Sequence, residues 1–327
     1  MRITVLSGGI GGARFLLGLR SLGHEITVIG NTGDDVTMMG VRICPDLDTV
    51  MYTLGNGISV DRGWGREGET FRVREELTTY AEAVGDADGG DAVPAWFGLG
   101  DLDLATHLLR SAWLSDGVRL SEVTRRLCAR WQPGVTLLPA TDTPIETHVS
   151  LTDGRVIHFQ EWWVRLHAAV AATGFEVVGA SGSTPAPGVI EALHNADVVL
   201  LPPSNPVVSV GAILAVPGIS AALRATAAPV VGLSPIVGDA PVRGMADACL
   251  AAIGVDTTAA AVARHYGARS SGGLLDGWLV DTADASGVAG LVSDGIRAAA
   301  APLMMTDLDA TAAMARAALS LAAATRA

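Results

Sequence analysis

Lysine is absent from this 327-residue chain, and all 22 basic positions are arginine. That lack removes reaction classes that need an ε-ammonium group, among them Walker-type phosphate clamps, Schiff-base aldolases and pyridoxal enzymes. Cysteine is scarce: Cys44, Cys128 and Cys249 are odd in number and far apart. Neither a disulfide framework nor zinc-ligand spacing follows, so a reducing, cytoplasmic setting is expected. Long apolar runs are missing too. Residues 211–222 are interrupted by Pro and Gly and fall short of the ~20 residues a bilayer span requires. The apolar N-terminal run is too short for a secretory signal, and no membrane association is expected. An excess of positive charge is also lacking. The formal charge of −12 argues against nucleic-acid binding, and a polyanionic ligand would need a divalent cation or a local basic pocket.

What is present begins at once. The β-branched run Arg2-Ile-Thr-Val-Leu6 breaks into Ser7-Gly-Gly-Ile-Gly-Gly-Ala-Arg14, and helical spacing resumes at Phe15, Leu16 and Leu19. A strand, a glycine turn and a helix at residues 12–22 form a cradle for an anion at a helix N-terminus, with Gly8, Gly9, Gly11 and Gly12 as candidates. Counted from Gly9, Arg14 stands where a dinucleotide fingerprint has its third glycine, and no register ends in the G-K-[ST] of a P-loop. A second strand over residues 25–30 completes a β-α-β unit. Together with the 49% hydrophobic content, this predicts an α/β protein: a Rossmann-like, mostly parallel sheet with helices on both faces. Residues 1–60 and 168–327 read as its nucleotide-binding core. Residues 61–167, rich in tryptophan, read as an inserted, mainly helical lid. The β/α rhythm returns with expected strands at 175–179, 197–201 and 229–233, and an alanine-rich helix from 308 should cover the sheet.

Asp34, Asp35, Asp46, Asp48 and Asp61 cluster after the second strand. Such a group suits magnesium, which takes one or two carboxylates plus phosphate oxygens. Aspartates that simply begin turns or helices explain each one equally well. Asp34 could also bind a ribose in a nicotinamide site. The segment Trp96 to His107, with Asp101 and Asp103, could floor a pocket for a flat heterocycle, although a lone helix histidine often serves structure. Of Trp162 and Trp163, adjacent on an expected strand, one at most faces a ligand. Ser204-Asn205 lies between prolines, where asparagine can read a base edge or stabilise its own turn. Arg14, Arg165 and Arg243 are candidate phosphate forks.

The glycine loop, Ile43-Cys-Pro-Asp-Leu-Asp-Thr49, Arg62-Gly-Trp-Gly65, Leu138-Pro-Ala-Thr-Asp142, His158-Phe-Gln-Glu-Trp-Trp163, Pro203-Ser-Asn-Pro206 and Gly232-Leu-Ser-Pro-Ile-Val-Gly238 together resemble the 2-phospho-L-lactate transferase family of coenzyme F(420) biosynthesis. The likeness is strongest to its actinobacterial phosphoenolpyruvate transferase branch. The resemblance implies magnesium-dependent transfer of a phosphoenolpyruvyl or 2-phospho-L-lactyl group from a guanosine diphosphate diester to the deazaflavin alcohol Fo (7,8-didemethyl-8-hydroxy-5-deazariboflavin), with release of GMP. It implies catalytic Asp46 and Asp48, with Asp35 joining them as metal ligands. The donor nucleotide would lie near Gly8, Gly9, Gly11, Gly12, Arg14, Ser204 and Asn205. The acceptor would lie near Asp48, Asp101, Asp103, His107, Trp64 and Trp162. A homodimer is also implied. Leu102 departs from the pattern, because relatives carry a basic residue there. The alternatives are a nonenzymatic nucleotide-sugar-binding regulator of the same fold and a nicotinamide oxidoreductase.

Overall fold

A computed structural model describes residues 1–85 and 96–325. β1 (Arg2–Ser7) is buried along all but its first residue, as a β-branched strand is when helices cover both sheet faces. The chain turns at Gly8 into α1 (Gly9–Arg20) and returns as β2 (Glu25–Gly30), in parallel register with β1. This is the expected β-α-β unit, with its helix starting inside the glycine loop. A hairpin of β3 (Val36–Met38) and β4 (Val41–Ile43) leads to α2 (Pro45–Leu54). Pro45 opens α2, where proline's fixed φ and missing N–H cost nothing. Asp46 and Asp48 occupy its first turn, near the positive end of the helix dipole.

α3 (Arg72–Ala83), α4 (Asp101–Ser115) and α5 (Leu120–Trp131) follow. β5 (Thr136–Pro139) then pairs in parallel with β2 at the edge of the main sheet. The expected boundary of an insertion at 61–167 is thereby revised. α5 also buries Leu120, Val123 and Leu127 in the core that holds α1, because its apolar face has nothing else to pack on. A second revision concerns residues 175–179. All but Gly179 belong to β8 (Ala172–Val178), which pairs antiparallel with β6 (Glu146–Leu151), itself paired with β7 (Val156–His158).

The main sheet is completed by β9 (Val198–Leu201) and β10 (Val230–Leu233). A short hairpin of β11 (Ile236–Val237) and β12 (Ala240–Pro241) precedes β13 (Gly277–Val280) and β14 (Arg297–Ala300). Its order is β14-β13-β10-β9-β1-β2-β5, and every pairing is parallel. Neighbouring strand residues feed opposite cores: Leu6, Ile29 and Val199 face one, while Val5, Val28 and Leu200 face the other. The helix Leu308–Thr325 covers one face. It crosses α1 so closely that a Cβ on Gly18 would lie 2.5 Å from the Thr311 backbone. No described helix is long and apolar enough to cross a membrane. β1 lies between β2 and β9, so strand order reverses there. In open α/β sheets the crevice beyond that reversal receives the ligand.

Candidate active site

The loops beyond β1, β2 and β9 open onto a cleft of about 1150 Å³. One end is built from backbone. Ser204 Oγ donates to Gly8 O at 2.8 Å, tying the β9 loop to the glycine loop. A Cβ on Gly11 would fall 2.4 Å from Pro203 O, and Gly9 holds φ +63°. Glycine is therefore needed for approach and for conformation. Gly8, Gly9, Gly11, exposed Arg14 and Ser204 line the cleft, whereas Gly12 is packed beneath the loop against Ser7 and Ser204. Asn205 also lines it, but its side-chain oxygen accepts from Val207 N (2.9 Å) and Val208 N (3.2 Å). The turn-stabilising reading of Asn205 is the one realised.

The central wall is acidic. Asn31 Nδ2 donates to Asp46 Oδ2 at 2.9 Å and to Val208 O at 3.2 Å, and Asn31 Oδ1 accepts from Gly33 N. Burial pushes the Asp46 carboxyl up to about 6, against the pull of the Asn31 amide and the Gly9 N–H. Asp34 lines the same wall. Burial and the neighbouring Asp46 carry its carboxyl well above the usual range, and its Oδ1 is buried without a hydrogen-bond partner. Asp35 does not take the expected place among the metal ligands. Its carboxylate lies 3.5 Å from Arg42, which also binds Glu146 at 3.0 Å. Consecutive residues turn opposite ways here, so Asp34 faces the cleft and Asp35 faces the protein.

Beside this wall two helices meet through polar side chains. Asp48 and Tyr52, four apart on α2, face Asp103, His107 and Arg110, which share one face of α4. Arg110 Nη2 donates to Asp48 Oδ1 in a very short contact, and Nη1 donates to His107 Nδ1 at 3.0 Å. With Nδ1 accepting, the His107 proton sits on Nε2, 3.4 Å from Asp103 Oδ2. Tyr52 donates to Asp103 Oδ1 at 2.7 Å. Burial raises the Asp48 carboxyl, while Arg110 and His107 pull it back. Burial also opposes charge on Asp103, yet the bonds from His107 and Tyr52 hold its carboxyl below the usual range. Asp48 Oδ2 is buried and has no hydrogen-bond partner. Asp48, Tyr52, Asp103 and His107 line the cleft, and Arg110 stands behind them, 2% exposed.

Another part of the cleft is aromatic. Trp64, Trp96, Phe97 and Trp163 line it, with the Arg62 guanidinium over Trp64 at 5.5 Å. Trp162 is not an acceptor-facing residue: it is fully buried beside Phe159 and Phe175, and its Nε1 donates to Val170 O at 2.8 Å. The pair lies on a π-helical turn, Glu161–Arg165, rather than a strand, and of the two it is Trp163 that faces the cleft. Asp101 is not an acceptor contact either. It is exposed and accepts from Thr70 N (2.8 Å) and Thr70 Oγ1 (3.0 Å), pinning the start of α4 to the loop before α3. Leu102 offers its carbonyl to Arg66 Nη1 at 2.9 Å. Gln160, which stood out in the sequence only within a motif, has its Nε2 donating to Asp34 O at 3.3 Å. Asn31 and Arg110 were not expected in the site; the spacing Asp103, His107, Arg110 carried a usable signal for the second, and nothing local marked the first.

The chain matches the family model described as 2-phospho-L-lactate transferase CofD over residues 3–314. It is 62% identical to a phosphoenolpyruvate transferase of Streptomyces griseus subsp. griseus, covering 98% of each chain. It is 54% identical to one of Mycolicibacterium smegmatis, covering 98% of this chain and 99% of that one. Among solved structures, the Bacillus halodurans protein BH3568, a UPF0052 family member, superposes with TM-scores of 0.62 and 0.61 in two crystal structures. Identity there is 18% and 17%, over 97% of this chain and 99% of the other, so that likeness concerns the fold. Matched by that model over nearly its whole length, the chain belongs to the 2-phospho-L-lactate transferase CofD family.

Proposed function

We propose that this transferase acts in coenzyme F(420) biosynthesis, moving a phosphoenolpyruvyl or 2-phospho-L-lactyl group from a guanosine diphosphate diester to the hydroxyl of Fo and releasing GMP. The observation that carries the reading is one cleft lined together by a backbone anion cradle, aromatic side chains and buried carboxylates. The donor's phosphates suit the glycine loop and Arg14, and the flat acceptor suits Trp64, Trp96 and Trp163. The ribityl oxygen bonds to the phosphorus bearing the three-carbon acid as the bridging oxygen departs with GMP. Asp48 Oδ2, which has no hydrogen-bond partner and lies 3.7 Å from His107 Nδ1, accepts the hydroxyl proton and aims the attacking oxygen in this reading.

Magnesium fits the donor set. In a chain without lysine, Asp46 and Asp34 are neighbouring carboxylates that line the cleft, and Asp34 Oδ1 is buried without a hydrogen-bond partner. Such an ion would supply the charge that neutralises the diphosphate. Asn31 holds Asp46 for that role. Calorimetric titration with GDP, UDP-N-acetylglucosamine and NAD, each with magnesium, tests the nucleotide. Preference for either of the last two would reject the reading. Supplying both three-carbon donors with Fo, then weighing the product, identifies the group transferred.

A further inference from the structure

Asp48 and Arg110 are 4% and 2% exposed. Desolvating two opposite charges costs about what their attraction returns, so a buried pair adds little to a fold. The geometry around this one is better suited to orientation. Arg110 uses both terminal nitrogens at once, reaching Asp48 Oδ1 on α2, His107 Nδ1 on its own helix and, at 3.3 Å, Arg42 O at the hairpin. α4 is fastened to that hairpin again by Arg42 N donating to Ser111 Oγ at 2.7 Å. One Asp48 oxygen is thereby consumed, and the other has no hydrogen-bond partner, in a residue that lines the cleft.

We infer that Arg110 is a positioning residue for the transfer: its planar fork, braced on two other elements, holds Asp48 so that Oδ2 is presented to the acceptor hydroxyl. The inference rests on the transferase reading above. A lysine could reach one of these acceptors but lacks the rigid fork needed to hold several.

The test crosses Arg110→Met and Arg110→Lys with Asp48→Asn, measuring Fo turnover, the KM for Fo and GDP affinity, together with a crystal structure of each Arg110 variant. Arg110→Met should lose turnover by about 100-fold, the scale of losing one preorganised polar contact. GDP affinity should stay within about threefold, because the nucleotide's contacts are elsewhere. Arg110→Lys should recover part of the loss. In the Asp48→Asn background, Arg110→Met should cost less than about threefold, since residues acting through one another are non-additive. In the crystal, Asp48 should turn away from its present orientation. Equal losses in both backgrounds, or an Asp48 that keeps its orientation without Arg110, would overturn the inference. If the unmodified protein forms no phosphodiester with Fo, the transferase reading fails, and the orientation of Asp48 still decides the role of Arg110. Should Arg110→Met not fold, Arg110→Lys, which keeps the charge and loses the fork, decides both readouts.

Discussion

Asp46 places a carboxylate where solvent barely reaches, and its two effects, on stability and on reaction, have opposite signs. Its folded pKa rises from 3.8 to about 6 through burial, so the folded chain holds a proton that the unfolded chain has released between those values. Stability therefore falls as pH rises through that window, and the penalty is complete above it. Two pH units correspond to about 3 kcal/mol at most. With metal chelated, Asp46→Asn should melt a few degrees above the parent at pH 8, the gap closing toward pH 4.5. Its turnover should collapse. A melting curve unchanged at pH 8 would mean that Asp46 is not buried as described. Asp48→Asn should lose far more in turnover than in GDP affinity, because its free oxygen matters most as the reacting groups approach. Unchanged turnover would remove Asp48 from the site. Asp46 and Asp48 stood out in the sequence as two of five clustered aspartates and through the motif that carries the family resemblance. Asn31 and Arg110 did not, since each finds its carboxylate only across an intervening stretch of chain.

The glycine loop shows how an element can be legible while its reason is not. Its glycines marked a strand-to-helix turn, but the clash that enforces Gly11 comes from Pro203 O, on a loop beyond β9. A backbone oxygen cannot rotate aside as a side chain can, so Gly11→Ala must move one of the two loops. Donor affinity should fall by about tenfold or more, with about 1–3 kcal/mol of stability lost, as overpacking typically costs. Titrating GDP into the variant checks the first, and urea unfolding checks the second. The π-helical turn Glu161–Arg165 is the converse case. Trp162 and Trp163 do diverge as on a strand, but the wider turn sends Trp162 into the small sheet's core and leaves Trp163 at the cleft. Nothing in the local spacing distinguishes those outcomes.

The cleft is assembled from segments spread between Gly8 and Thr306, and the tryptophans that line it, Trp64, Trp96 and Trp163, are the ones assigned to the proposed acceptor seat. Acceptor and donor should therefore be distinguishable by fluorescence. Fo binding should quench Trp64, Trp96 and Trp163, and Trp64→Phe should remove part of that quench. GDP alone should change the emission little, and an equal response to both ligands would put the aromatic end in the wrong role. Removing divalent cations with EDTA should abolish turnover, with magnesium restoring it. Activity that survives chelation would leave the carboxylates without an ion to hold.

Period and punctuation along the chain were enough to indicate the parallel α/β class, the β-α-β opening and the strands near 197–201 and 229–233. Those features come from neighbours in sequence: β-branched runs, glycine turns and helical spacing. The assignment of β5 to the main sheet and β8 to a separate antiparallel one was settled by packing, because a short apolar strand reads the same whichever sheet accepts it. So was the choice of Asp34 over Asp35 and of Trp163 over Trp162. In each pair the residue types are identical, and what separates them is the partner on the far side: Arg42 for Asp35, Phe175 and the Val170 carbonyl for Trp162. Asp35 is held against Arg42 and lies off the cleft that Asp34 lines, and that placement is made across space rather than along the chain.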